Sequence, residues 1–155
     1  MTDAVSIRVG TVADVEGLAR LKIEWVEPGQ VSRDEKDAFT AALADWMETM
    51  GDRLVCGVAE SGGHVVGMAW MVVFDRVPDF GNVHRVSADV QSVYVQPAFR
   101  AHGVGARLVT LVCAEADRRG IPRVLVHSSS GAVPLYKRLG FAALDRLLAR
   151  THVAR

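Results

Sequence analysis

Residues 93–105 read VYVQPAFRAHGVG, and this stretch determines the interpretation of the whole chain. An apolar β-type run ends at Pro97, and a short turn with a basic residue and two glycines leads into an amphipathic helix. Glycine lets backbone N–H groups approach a ligand closely, and a helix N-terminus adds free donors at the positive end of its dipole. The stretch therefore predicts a pyrophosphate cradle. A plain strand-to-helix turn is the alternative, because short glycine patterns often arise by chance.

Two other phosphate-binding motifs do not fit this stretch. A Rossmann fingerprint needs a third glycine or alanine where Leu108 stands, and an acidic residue about twenty positions further on, where Arg123 is found. A P-loop needs Gly-Lys-Ser/Thr, which the sequence lacks.

The elements on either side form a mixed α/β pattern. Hydrophobic spacing and turn residues predict a strand at 7–9, helices at about 14–25 and 34–50, a hairpin of β runs at 54–60 and 64–74, an irregular segment at 75–87, a strand at about 89–95, a helix from about 103 to 119, a strand at 123–127, a short helix at 132–139 and extended chain from 141. This order predicts an α/β fold.

Composition narrows the class of protein. The 155 residues are half apolar, which is enough for one core, so we expect a single domain over residues 1–155. The 18 basic and 18 acidic residues balance, which gives no electrostatic footprint for nucleic acid or an anionic membrane. The longest apolar run, 65–74, is too short to span a bilayer, and residues 1–6 do not read as a signal peptide. We expect a soluble cytoplasmic protein.

The cysteines and histidines show no pattern typical of a disulfide framework, a nucleophile or a metal site. The two cysteines are isolated, so no disulfide framework is expected, and Cys113 is expected to be a buried structural thiol within a helix. The five histidines show no metal-ligand spacing. We expect no metal site.

Two blocks resemble one known family. Residues 100–105, RAHGVG, match every fixed position of the signature Gln/Arg-x-x-Gly-x-Gly/Ala, although many members have glycine where Ala101 stands. Residues 135–141, LYKRLGF, resemble the block Leu-Tyr-x-x-Leu-Gly-Phe. In this order and spacing the two blocks resemble the GNAT superfamily of acyl-CoA-dependent N-acyltransferases. The opening from Ile7 to Asp14 is similar to the family's first strand and helix start, so the resemblance covers nearly the whole chain.

The resemblance implies a fold and a cofactor. The implied GNAT fold has a mixed sheet of about six to seven strands, splayed at the cofactor site and flanked by four helices. The implied co-substrate is acetyl-CoA, with pantetheine in the gap between the strands at 89–95 and 123–127. One backbone amide would polarise the thioester carbonyl. The residues implied to bind the cofactor are Val93, Tyr94, Val95, Arg100, Ala101, His102, Gly103, Val104, Gly105, Tyr136 and, where many relatives have asparagine, Ser129.

Tyr136 is the residue that the resemblance implies as general acid. When an amine attacks the thioester, coenzyme A leaves as a thiolate, and a phenol within hydrogen-bond reach protonates it. The alternative role for Tyr136 is packing on an amphipathic helix.

Asp89 is the candidate general base, because relatives with a carboxylate base carry it at about this point of the strand. In a regular strand Asp89, Gln91, Val93 and Val95 share one face, and a bulge would break that parity. Asp89 could equally start the strand as a turn residue. His84 and Glu27 are weaker candidates, and some relatives use only water and backbone carbonyls.

The resulting hypothesis is transfer of an acetyl group from acetyl-CoA to a primary amine, by direct attack in a ternary complex. The acceptor class stays open among small molecules, peptides and proteins, and homodimers are common in the family. Two alternatives stay open: an acyl-CoA sensor without catalysis, and an acyltransferase for hydroxyl acceptors or longer acyl donors.

Overall fold

The computed structural model of the protein describes residues 4–26 and 29–152. In these residues one sheet holds five strands in the order β1-β2-β3-β4-β5. The strands are β1 (Ser6–Val9), β2 (Leu54–Ser61), β3 (His64–Arg76), β4 (Arg85–Val95) and β5 (Val124–Val126). Neighbouring strands are antiparallel from β1 to β4, and β5 runs parallel to β4, so the sheet is mixed as expected.

Four α-helices flank the sheet in the described ranges. They are α1 (Val15–Val26), α2 (Arg33–Met50), α3 (Val104–Arg118) and α4 (Val133–Arg138). The ends of these helices lie within one or two residues of those predicted from the sequence. None of the helices within 4–26 and 29–152 is long and apolar enough to cross a membrane.

The expectation of six to seven strands was wrong. After α4, residues 139–152 contribute no strand to the sheet in the described chain. Residues 141–152 form neither helix nor strand, and Leu144, Leu147 and Leu148 are exposed, so no apolar face of this segment packs on the sheet. The segment turns back on α4 instead, where the Phe141 amide donates to the Tyr136 carbonyl at 3.0 Å.

The segment at 75–87 is more regular than the sequence indicated. β3 continues to Arg76 and β4 begins at Arg85, so the irregular part shrinks to residues 77–84. Within it, Asp79 and Asn82 exchange two backbone hydrogen bonds of 3.0 and 2.9 Å. β4 is therefore an eleven-residue strand that carries Asp89 in its middle.

The two faces of the sheet bury separate hydrophobic clusters. On one face Ala88 and Val90 of β4 pack in a cluster with Leu108 of α3. On the other face Met68 of β3 packs in a cluster with Leu21 of α1. Since α1 and α2 cover one face and α3 the other, each β4 side chain can be assigned to a face by its cluster.

Side-chain caps fix the start of α2 and of the 3₁₀ turn that leads into α1. α2 begins with a capping box in which Ser32 Oγ accepts from the Glu35 amide at 3.2 Å and the Glu35 carboxylate accepts from the Ser32 amide at 2.9 Å. Thr11 caps the 3₁₀ turn at residues 12–14, which leads into α1. The Asp14 carboxylate accepts from the Thr11 amide at 2.8 Å, closing a second capping box.

Candidate active site

The loop between β4 and α3 is the candidate cofactor site. Residues 97–99 form one short 3₁₀ turn, and α3 then begins at Val104. Ala101 and Gly103 both have left-handed backbone conformations, with φ of 62° and 73°. For glycine this conformation is free of strain, whereas for alanine it is strained. The two residues curl the chain so that it enters α3 directly.

A run of free donors follows from this geometry. In the described chain, none of the six backbone N–H groups from Ala101 to Ala106 donates a hydrogen bond, and the first helical bond runs from Arg107 to the Gly103 carbonyl at 3.0 Å. No side chain caps the helix. These donors lie at the positive end of the dipole of a fifteen-residue helix. The arrangement can hold a phosphate or pyrophosphate group.

Two side chains of the loop stabilise its shape. Arg100 Nε donates to the Val95 carbonyl at 2.8 Å, and its guanidinium lies over the ring of Tyr94, 5.5 Å from the centroid. His102 Nδ1 lies 2.7 Å from the Arg100 carbonyl oxygen. The Arg100 side chain therefore turns back onto the end of β4, and the ligand-facing groups of the loop are its backbone amides.

β4 and β5 separate beside this loop. The two strands pair at only three positions, from Ala88↔Val124 to Val90↔Val126. Beyond them, the edge of residues 91–95 that faces away from β3 has no strand partner in the described chain. This splay leaves room for an extended ligand to pair with the main chain of Val93, Tyr94 and Val95.

A bulge in β4 marks the point of separation. The register with β3 shifts between Met68↔Tyr94 and Trp70↔Gln91, which places one extra residue in β4, and Ser92 has a φ of 54°. Val93 packs in the same cluster as Val90, and Tyr94 packs in the opposite one. The bulge breaks the parity of the regular strand, so Asp89 and Gln91 face the α1 side and Val93 and Val95 face α3.

Lys22 holds α1 against this bulge. Its Nζ donates to Ser92 Oγ at 3.0 Å and lies 5.5 Å from the ring centroid of Trp70. Burial lowers the pKa of this lysine. The two residues are 70 positions apart in the sequence, so no local pattern predicts their contact.

Asp89 lies within the three paired positions, opposite Val72 of β3 and Leu125 of β5. It is half-buried and shares its face with Gln91 just before the strands separate. The other two candidate bases are His84 and Glu27. His84 immediately precedes β4, about 17 Å along the strand from Asp89, and lines a cavity at that end of the sheet. Glu27 lies outside the described residues.

Tyr136 lies in the middle of the six-residue helix α4 and is 7 % exposed. Its ring makes an edge contact with Phe141 at a centroid distance of 5.4 Å. Burial, with a smaller contribution from Cys113, raises the pKa of its phenol. The hydroxyl makes no hydrogen bond to the described chain and is not sealed from solvent. A protonated phenol that has no internal partner can donate to a ligand.

Ser129 precedes the short 3₁₀ turn at residues 130–132. Its carbonyl accepts from the Ser128 hydroxyl at 2.7 Å, and its own hydroxyl caps no helix. The Ser129 side chain is exposed, so its hydroxyl can contact a ligand.

Neither cysteine has the character of a nucleophile. Burial raises the pKa of the Cys56 thiol to about 12 and also raises that of Cys113. Both thiols are therefore protonated at neutral pH. Cys56 is buried, but Cys113 is only partly buried, so the expectation of a buried Cys113 was wrong.

The sequence did not predict the polar network of Glu24. Its carboxylate accepts from the Tyr94 hydroxyl at 2.8 Å and from Gln96 Nε2 at 2.9 Å. The neighbouring Trp25 stacks on Tyr94 with a centroid distance of 5.7 Å. The only local signal was the acidic character of residues 24–37, which is more often a solvated helical face.

The comparisons with known proteins agree on one family. Residues 19–141 match the model of the acetyltransferase (GNAT) family. A glucosamine 6-phosphate N-acetyltransferase of Trypanosoma brucei brucei is 31 % identical over 148 residues, which cover 94 % of this chain and 96 % of that protein. A mycothiol acetyltransferase of Salinispora arenicola is 33 % identical over 105 residues, covering 63 % of this chain and 30 % of that longer protein.

A solved structure has the same fold. The predicted acetyltransferase of Clostridium acetobutylicum, determined with acetyl-CoA, superposes with a TM-score of 0.72 at 20 % identity. The match covers 96 % of each chain.

Proposed function

The chain belongs to the GNAT acetyltransferase family, and from that premise we propose that it moves an acetyl group from acetyl-CoA to a primary amine. The observation that carries the proposal is the run of six free amides from Ala101 to Ala106 at the start of α3. An acetyltransferase needs such a site for the pyrophosphate of its donor. The family match at 19–141 leads us to assign the activity to one domain over residues 1–155.

Coenzyme A would lie between β4 and β5. In this proposal the free amides from Ala101 to Gly105 bind the pyrophosphate, whereas the Arg100 amide donates to the Pro97 carbonyl at 3.3 Å. Val93, Tyr94 and Val95 pair with pantetheine where β4 has no neighbour. The bulge at Ser92 turns backbone groups out of the ladder at the same place. A backbone N–H there would polarise the thioester carbonyl as an oxyanion-hole donor. Ser129 would add a hydroxyl contact to the cofactor.

Tyr136 is proposed as the general acid. The amine nitrogen forms a bond to the carbonyl carbon, the C–S bond breaks, and the leaving thiolate takes its proton from the Tyr136 hydroxyl. Two features support this role: the raised pKa keeps the phenol protonated, and no group of the described chain competes for its proton. Positioned proton transfer of this kind contributes about 10²–10⁴ in rate.

Asp89 is proposed as the group that removes the proton from the acceptor ammonium. Its position on the α1 side of β4, within three residues of the bulge, places it beside the proposed thioester site. The amine reaches the carbonyl carbon from that side. A carboxylate there also attracts the ammonium form of the acceptor before it loses its proton.

The acceptor is proposed to be a small molecule. The supporting comparison is the glucosamine 6-phosphate N-acetyltransferase, which this chain covers almost completely. Of the two alternatives, an acyl-CoA sensor is disfavoured by the free phenol of Tyr136, since a sensor needs no proton donor.

A substitution at Gly105 tests the cradle. A Cβ at this position would meet only Val95 Cγ2, at 3.9 Å, so Gly105→Ala is a tolerated control. Gly105→Asp adds a carboxylate where the pyrophosphate is proposed to bind, while an acidic residue in the first turn favours the helix itself. We expect titration calorimetry to show at least about tenfold weaker acetyl-CoA binding for Gly105→Asp than for Gly105→Ala. Equal affinities would contradict the cradle.

Thiol release then tests the reaction. The wild-type protein is mixed with acetyl-CoA and a panel of primary amines, with matched alcohols as controls. Release that depends on the amine supports the proposal. Binding of acetyl-CoA without release from any amine would favour the sensor.

A further inference from the structure

Three arginines lie around one cavity at the start of β4. The cavity has a volume of about 340 Å³, and its lining includes the arginines at the end of β3, the start of β4 and just before β5: Arg76, Arg85 and Arg123. We call these three residues the arginine rim. Ser87 of β4 also lines the cavity and is only 3 % exposed.

The charge of the arginine rim is only partly compensated. Arg76 and Arg85 are direct cross-strand partners, and like charges in that position repel. Arg85 binds the Asp79 carboxylate at 2.8 Å and the Val77 carbonyl at 2.9 Å. The guanidinium groups of Arg76 and Arg123 have no partner in the described chain. Two positive charges therefore border the cavity without a counterion from the protein.

The rim lies in line with the proposed reaction centre. No register shift occurs between Arg85 and Gln91, so Arg85, Ser87, Asp89 and Gln91 share one face of β4. Along the strand, Ser87 is about 7 Å and Arg85 about 13 Å from Asp89. An acceptor whose amine is at Asp89, and whose second group lies about 7 Å or more away toward the start of β4, would place that group at this cavity.

We propose that the arginine rim binds a phosphate group carried by the acceptor amine. The inference rests on the proposed acetyl transfer and adds the substrate class, a phosphorylated primary amine. Guanidinium groups match the oxygens of phosphate with paired hydrogen bonds, and a phosphate dianion balances the two uncompensated charges. A single carboxylate would balance only one of them.

Selectivity between matched amines tests the inference. We compare kcat/KM for glucosamine 6-phosphate with that for glucosamine, and for O-phosphoethanolamine with that for ethanolamine. The wild-type protein should prefer the phosphorylated member of at least one pair by about 10- to 100-fold, as expected for hydrogen bonds to a charged group. Arg76→Ala and Arg123→Ala should each reduce that ratio about tenfold or more.

The control is Arg53→Ala, which removes one exposed positive charge outside the cavity and should leave the ratio unchanged. A third pair, 6-aminohexanoate with 1-aminohexane, tests a carboxylate in place of the phosphate. A ratio for this pair equal to the phosphate ratio would overturn the assignment to phosphate.

Calorimetry with glucosamine 6-phosphate in the presence of coenzyme A separates the two proposals. If no amine is acetylated but binding occurs and is lost in Arg123→Ala, the phosphate site stands and the proposed reaction fails. If amines are acetylated without a phosphate preference, or the preference survives in both rim variants, the phosphate site fails and the proposed reaction stands.

Discussion

The hydroxyl of Tyr94 donates a 2.8 Å hydrogen bond to the carboxylate of Glu24. Burial, with a further contribution from this bond, raises the pKa of Tyr94, and the phenol proton is used in the contact with α1. Tyr94 and Tyr136 are the two tyrosines of the sequence, and Tyr136 is the one whose hydroxyl has no partner in the described chain. The structure therefore distinguishes a tyrosine that joins two elements from one that is available to a ligand.

Replacing Tyr136 by phenylalanine tests the proposed acid. The ring and its contact with Phe141 are retained, so the fold and acetyl-CoA affinity should change little, while kcat should fall about 10²–10⁴-fold. The measurement is thiol release at saturating substrates, with affinity from calorimetry. Tyr94→Phe is the matched control, and we expect it to lose less than about tenfold. Equal losses in both variants would assign Tyr136 a packing role.

The pH profile provides a second test of Tyr136. The phenol is an acid only while protonated, and burial raises its pKa above the ordinary value of 10.0. Activity that depends on this group is therefore present below the raised pKa and is lost as the pH rises through it, above pH 10. We expect no tyrosine-dependent decrease of kcat between pH 7 and 9.5, and the Tyr136→Phe profile should lack the alkaline limb. A wild-type decrease near pH 8 that the variant lacks would contradict the raised pKa.

Replacing Asp89 by asparagine removes the proposed base at nearly constant shape. We expect kcat/KM to fall about 10²-fold near neutral pH and to recover partly at higher pH, where more of the acceptor amine is already deprotonated. Asp75→Asn is the control, because Asp75 is an exposed carboxylate of β3 in the same sheet. A pH-independent loss would indicate that Asp89 serves the strand and not the chemistry.

Glycine at position 101 should stabilise the protein. Ala101 has a φ of 62°, a conformation that costs a residue with a Cβ about 1–2 kcal/mol. Glycine removes that cost but adds entropy to the unfolded chain, so we expect Ala101→Gly to raise the free energy of unfolding by about 0.5–1 kcal/mol. Urea denaturation measures this change.

Ala98→Gly is the matched control for this stability change. Ala98 lies in the 3₁₀ turn without a left-handed backbone, so glycine there should lower the stability. Destabilisation of Ala101→Gly by as much as Ala98→Gly would show that position 101 carries no strain.

The parts of the fold that depend on residues close together in the sequence could be predicted from it. The turn at residues 100–105 and the start of α3 follow from glycines and hydrophobic spacing within one stretch. The strand count failed because it came from the family resemblance, whereas residues 141–152 form no strand in the described chain and leave their leucines exposed.

The side of the sheet on which each site residue lies could not be predicted. It depends on the bulge at Ser92, and serine carries no local signal for a left-handed backbone. Lys22 and Glu24 contact β4 across about 70 residues of sequence, and the arginine rim joins three strand ends. Such arrangements arise from topology and register, which a periodic pattern does not encode.

The separation of β4 from β5 links ligand binding to the stability of the fold. A ligand that pairs with residues 91–95 extends the sheet and binds only the folded chain, not the unfolded one. Its concentration therefore shifts the folding equilibrium by mass action. At a free concentration of 100 times Kd, acetyl-CoA would add about 2.7 kcal/mol to the free energy of unfolding. When the donor is scarce, the open strand edge becomes a place for other chains to pair or aggregate. The stability of the folded chain would then follow the acetyl-CoA concentration.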